Sequence, residues 1–94
     1  MKIQLSHGAG GIIMNDLIKN IILKNIKNRK VGRGIGLDEL DDGATIPINS
    51  EEIVVTGDAY TITPIFFPGG DIGKLAICGT INDLAVMGAR PIAI

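Results

Sequence analysis

The chain has little with which to cross-link itself, stack on rings or attract polyanions. Cys78 is its single cysteine, so no disulfide can close within it. Tryptophan is absent and aromatic residues make up 3%, which leaves no stacking platform for bases. Lysine and arginine number 9 against 10 aspartates and glutamates, for a net charge of −1, so nucleic acid is not an expected partner. The basic cluster from Lys24 to Lys30 reads as a solvated helix end. No apolar run approaches the ~18 residues of a membrane span. Met1 to His7 lacks the apolar core of a signal peptide. The expected protein touches no membrane and works in the cytoplasm.

What the chain does have is apolar surface. It is 46% hydrophobic over 94 residues, with a mean hydropathy of +0.35. A domain of this size buries only about 60–65% of its unfolded surface. So either it assembles through an apolar face or it is part of a longer protein. Arg90 to Ile94 reads as a loop entering an apolar strand at the point where the sequence stops. That favours a single amino-terminal domain, 1–94, cut from a larger chain.

Periodicity gives the elements. Lys2 to Leu5 alternates and reads as a short strand, and His7 to Gly11 as a flexible turn. Ile12 to Asn28 is helical: Ile13, Leu17, Ile21 and Ile18, Ile22, Ile26 form an apolar stripe, with Met14 beside it. Gly32, Gly34 and Gly36 mark a mobile loop before the acidic stretch Leu37 to Asp42. Ala44 to Ile48 and Glu52 to Thr56 are strands separated by Pro47 and the turn Asn49-Ser50-Glu51. Ile53, Val54 and Val55 are consecutive, which predicts cover on both faces. Ala59 to Ile65 is a third candidate strand. Asp71 is placed to cap a second helix from Ile72 to Met87, which Gly88 and Pro91 end. That helix is apolar nearly all round, so it is expected to be buried, with Cys78 as a structural thiol.

Asp83 breaks the pattern of the second helix. It falls one turn after Gly79 on the line of Ile72 and Ala76. A carboxylate in an apolar helix needs a cation or dense hydrogen bonding to remain charged. Asp41-Asp42 before a strand and Asp58 after one are further acidic candidates, and Mg²⁺ is the cation that such carboxylates with substrate phosphates suit. Each alone also reads as a turn residue or strand terminator. The glycine-rich pieces match no nucleotide fingerprint: the third glycine is missing after Gly8 and Gly10, and Leu75 stands where a Walker loop has Ser or Thr. Backbone amides at Gly10-Gly11 and Gly70-Asp71 precede helix starts, so they read equally as phosphate cradles or as plain turns and caps. Lys74 in the first turn reads as a phosphate contact or a surface lysine. His7 has no metal-ligand partner at zinc spacing and reads as a lone loop histidine or a substrate contact.

Three blocks carry a family resemblance: Leu5-Ser6-His7-Gly8-Ala9-Gly10-Gly11 with Met14, the run Phe66 to Thr80 (FFPGGDIGKLAICGT), and Asn82-Asp83-Leu84-Ala85 leading to Gly88-Ala89-Arg90-Pro91. Together they resemble the HypE family of hydrogenase maturation factors. That family belongs to the aminoimidazole ribonucleotide synthetase (PurM)-like ATP-dependent enzymes. The resemblance runs from about Leu5 to Ile94. It implies an α+β, two-layer amino-terminal domain, with a mixed or antiparallel sheet packed on helices and sheets of two subunits pairing into a β-barrel. It implies ATP and Mg²⁺ as cofactors, with Asp42, Asp58 and Asp83 on the metal. It puts His7, Gly8, Gly10, Gly11, Gly69, Gly70, Lys74 and Asn82 near the nucleotide.

The resemblance also implies an activity, dehydration of an S-carbamoyl cysteine to a thiocyanate, driven by ATP. The product supplies the cyanide ligand of NiFe-hydrogenase. The implied partners are a second subunit, a HypF-type carbamoyltransferase and the HypC–HypD complex. The family's carrier cysteine lies at its carboxy terminus, and Cys78 matches an interior position instead. The stretch read here is therefore expected not to complete the reaction alone, and no catalytic residue is assigned within it. The alternatives are a non-catalytic dimerisation module and a PurM-like kinase relative. The Phe66–Thr80 block argues against the last.

Overall fold

The computed structural model describes residues 1–94. Its first long element is a single helical run. It starts as α1 (Gly11–Leu17), widens to a π-helical stretch at Ile18–Ile22 and tightens to a 3₁₀ turn at Leu23–Asn25. The apolar stripe predicted this helix, and it ends three residues earlier than predicted, at Asn25 rather than Asn28. Its C-terminal carbonyls are met from outside: the Arg29 guanidinium donates to Leu23 O and Ile26 O, and pairs with Asp38 at 2.9 Å. A cation there also suits the negative end of the helix dipole.

The next elements are strands β1 (Ala44–Ile48) and β2 (Glu51–Val55), an antiparallel hairpin with Ala44 opposite Val55 and Ile48 opposite Glu51. Asn49 turns the corner at φ 55°, a conformation that asparagine tolerates. A second, minimal hairpin pairs β3 (Phe66–Phe67) with β4 (Gly70–Asp71). Pro68 and Gly69 form its turn, and Gly69 supplies the positive φ of 92°. This leads directly into α2 (Ile72–Val86).

α2 is closed at both ends by its own neighbours. The Asp71 carboxylate accepts the Lys74 N–H at 2.8 Å, as the sequence predicted. At the other end Gly88 takes φ 73°, Gly88 N donates to Ala85 O and Ala89 N to Leu84 O, both at 2.9 Å. That double bond is a Schellman motif, which satisfies the last helical carbonyls.

The α+β class therefore holds: two helical runs and two small antiparallel sheets. Several finer expectations do not. Lys2 to Leu5 is not a strand, and Leu5–Gly8 is a 3₁₀ turn. Ala59 to Ile65 forms no strand, because β2 pairs only with β1 and Pro64 removes a ladder donor. The glycine loop is anchored rather than loose. Thr45 N donates to Ile35 O, and Ile35 N donates to Thr45 Oγ1 at 2.6 Å. A methyl at Gly34 would overlap the Thr45 carbonyl, so only glycine permits this approach.

Burial is the largest departure. The molecule measures 44 × 41 × 16 Å, and its radius of gyration is 15.9 Å. A compact chain of this length would have about 13 Å. Only four residues are buried, among them Leu23, Thr45 and Leu84. The expected cover of Ile53 to Val55 is missing: Ile53 is 42% and Val55 47% exposed. α2 buries only Leu84, and Cys78 is exposed rather than a buried structural thiol. The two-layer packing of sheet on helices is not formed within the chain, since neither helical run lays a face across the β1–β2 hairpin.

Candidate functional site

The β1–β2 hairpin decides where two of the three acidic candidates go. Antiparallel pairing sets Ala44 beside Val55, so the residue before β1 and the residue after β2 leave the hairpin at one end. Thr56 Oγ1 fastens that end by donating to Asp42 O at 2.9 Å. Asp42 and Asp58 thus emerge together. Asp58 is further held by two donors: Ala59 N–H to Oδ1 at 3.0 Å and the Tyr60 hydroxyl to Oδ2 at 2.9 Å.

α2 supplies the third. The Tyr60 ring lies against Gly79, and Asp83 follows one turn later, half-buried. There it feels the charge of the other two carboxylates. Loss of solvation raises the Asp83 pKa above its ordinary value first. The negative charges of Asp42 and Asp58 add to the shift. Tyr60 is raised for related reasons, desolvation and its bond to Asp58, and Thr80 pulls it the other way.

The chemistry of this corner is a concentration of hard oxygen donors with unrelieved like charge. A divalent cation relieves that repulsion, so the donor set fits Mg²⁺, which takes one or two carboxylates and keeps water or phosphate in its other positions. The fit is to that pattern only. No three His, Cys, Asp or Glu side chains close into a ready-made ligand cage. Asp42 and Asp58 both act on Asp83 through their charge.

The glycine-rich candidates are dispersed. Gly11 lines a groove of about 700 Å³ between the first helical run and the hairpin, and Asp41, Asp42, Thr56 and Gly57 line its other side. Gly10 and Gly11 have φ of 79° and 71°, and no side chain caps the amides of α1. His7 faces away from this groove into a smaller one, with Met1, Asp16 and Ile21, and its Nδ1 accepts the Gln4 N–H at 2.9 Å. Gly8 is exposed. Gly69, Gly70, Lys74 and Asn82 do not line the 700 Å³ groove. Lys74 Nζ donates to Gly69 O at 3.1 Å, and the Asp71 carboxylate sits where an anion would meet the start of α2. Asn82 is exposed on α2.

Sequence reasoning missed Tyr60, and a signal was available. It is the chain's single tyrosine and lies two residues after Asp58, the spacing that puts extended-chain side chains on one face.

Comparison with known proteins gives consistent names. Residues 40–94 match AIR synthase related protein, N-terminal domain. A hydrogenase expression/formation protein of Methanocaldococcus jannaschii is 63% identical over 94 residues, covering 100% of this chain and 28% of that relative. The carbamoyl dehydratase HypE of Escherichia coli K12 is 44% identical, covering 95% of the chain and 26% of the relative. That of Azotobacter vinelandii is 40% identical over 95% of the chain and 24% of the relative. The chain thus spans about a quarter of the length of the curated relatives it matches.

Proposed function

The chain belongs to the AIR synthase related protein family, whose N-terminal domain it matches over residues 40–94, and on that premise we propose that it is the Mg-ATP-binding part of a hydrogenase maturation enzyme. The observation that carries this reading is that Tyr60, bonded to Asp58, lies against Gly79, one turn before Asp83, so the hairpin end and α2 come together there. Like-charged carboxylates with no cation of the chain paired to them are a poor structural device and a good place for a metal.

In this reading Asp58 and Asp83 hold Mg²⁺ and Asp42 adds to the field. Gly10 and Gly11 offer uncapped amides to phosphate oxygens at the groove. Gly69, Gly70, Lys74 and Asn82, and likewise His7 and Gly8, do not line that groove and take no part in this reading. The metal's chemistry is neutralisation of charge on the transferring phosphate. The reaction proposed for the whole protein follows its relatives' name, carbamoyl dehydratase. An S-carbamoyl cysteine and ATP give an S-cyano cysteine, ADP and phosphate, the amide oxygen leaving on phosphorus. The carbamoyl donor would be a HypF-type transferase and the cyano acceptor a HypC–HypD complex, in the cytoplasm.

Calorimetry with Mg-ATP tests the site. Asp83→Asn should weaken binding by at least about 10–100-fold, the loss that follows even when only the outer partner of a metal ligand is changed. The fold should persist, because the side chain is half-exposed. Equal affinity of variant and wild type sinks the assignment.

A specific observation also favours an assembly role. Large apolar side chains are open across the slab: Ile12 at 80%, Phe66 at 72%, Val86 at 67% exposed. We infer that a second copy covers part of this surface, with the free edges of β1 and β2 contributing to an intersubunit barrel. Sedimentation at micromolar concentration should show a dimer; a monomer would contradict it.

A further inference from the structure

We propose that Tyr60 is a positioning residue, whose hydroxyl fixes the Asp58 carboxylate opposite Asp83, and that residue 79 is glycine in order to seat it. The inference rests on the cation reading above.

Asp58 needs such a device. It lies beyond the last ladder pair of β2, in the irregular stretch before β3, after Gly57, and it is exposed. Nothing in the sheet fixes its side chain. The bond from Ala59 N–H is local and ties the carboxylate only to its own backbone. The Tyr60 bond to Oδ2 differs in kind, because its ring rests on another element. A methyl on residue 79 would overlap the Tyr60 hydroxyl oxygen and come within 2.6 Å of the ring carbon Cζ. The ring therefore lies in the slot left by the missing side chain of Gly79. Asp83 is one turn further along the same helix. Tyr60 is thus the pin that connects the hairpin end to α2, and it sets the position of Asp58 relative to Asp83. Each carboxylate oxygen of Asp58 accepts one donor and has a second lone-pair direction free for a cation.

The test uses the full chain with Mg²⁺ alone as the probe, comparing wild type, Tyr60→Phe, Asp58→Asn and the double variant. Phenylalanine keeps the ring in its slot and removes only the donor. Tyr60→Phe should weaken Mg²⁺ binding by about five- to tenfold, the loss of one charge-assisted hydrogen bond, with the thermal midpoint unmoved. In the Asp58→Asn background the same change should have no further effect, since Tyr60 acts through that carboxylate. Because Tyr60 is the only tyrosine and tryptophan is absent, intrinsic emission reports this hydroxyl alone and should change with Mg²⁺ in the wild type but not in Asp58→Asn. Unchanged affinity in Tyr60→Phe overturns the inference and leaves the metal site standing. So does an equal loss with and without the Asp58 carboxylate, or a loss that tracks a lowered midpoint. Absence of Mg²⁺ binding in the wild type overturns both.

Discussion

The two helical runs of this chain are equally long and differently made. Gly11–Asn25 passes through α, π and 3₁₀ geometry, while Ile72–Val86 is regular throughout. Each buries a single residue, Leu23 and Leu84, so burial does not explain the difference. Their ends do. α2 begins on the Asp71 carboxylate and stops at Gly88, both adjacent to it in sequence. The first run begins at Gly10 with no side-chain cap and ends on the Arg29 guanidinium, four residues past its last turn. β-Branched isoleucines, which lose rotamer freedom in a helix, fill its middle. The regular helix is the one that carries Asp83, where a fixed one-turn spacing from Gly79 matters most.

Removing each run's own terminator sharpens this contrast. Arg29→Met should cost the most, about 1.5–2 kcal/mol, because two carbonyls at the helix end lose a charged donor. The exposed pair with Asp38 adds under about 1 kcal/mol. Asp71→Ala should cost about 1 kcal/mol, the usual value of an N-cap. Circular dichroism melts of both variants check the order. A larger loss from Asp71→Ala would mean that the first run is held by something other than Arg29.

The same contrast explains what could be read from the sequence. Both helices, the β1–β2 hairpin, the Asp71 cap and the Gly88 stop were visible, because each depends on residues within a few positions of one another. The three aspartates were visible as residue types that an apolar helix and strand ends do not need. Ala59 to Ile65 was misread because a strand exists only with a neighbour, and this chain provides none. Cys78 and Ile53 to Val55 were misread for the matching reason: apolar sequence predicts cover, and the cover is not made by these residues themselves. Tyr60 and Gly79 meet only because the hairpin end and α2 come together, a contact that no local pattern encodes.

The smallest effect is the most diagnostic. Desolvation, then the charges of Asp42 and Asp58, raise the Asp83 pKa above the ordinary value of 3.8. The folded state therefore holds the Asp83 proton to higher pH than the unfolded chain does. Between the two values the native state binds more protons, so stability falls as pH rises through that window. Below 3.8 the penalty is absent, and above the raised value it is complete. Asparagine carries no charge and can donate to Asp58 at any pH. Asp83→Asn should thus melt slightly above the wild type at pH 7, with the gap closing in acid. Saturating Mg²⁺ should reverse the order at pH 7, because a ligand that binds only the folded wild type stabilises it by mass action and leaves the variant behind. A wild type that melts above the variant without metal would mean that the Asp83 carboxyl is structural. A gap that persists when Mg²⁺ is added would separate the repulsion from any role in holding the ion.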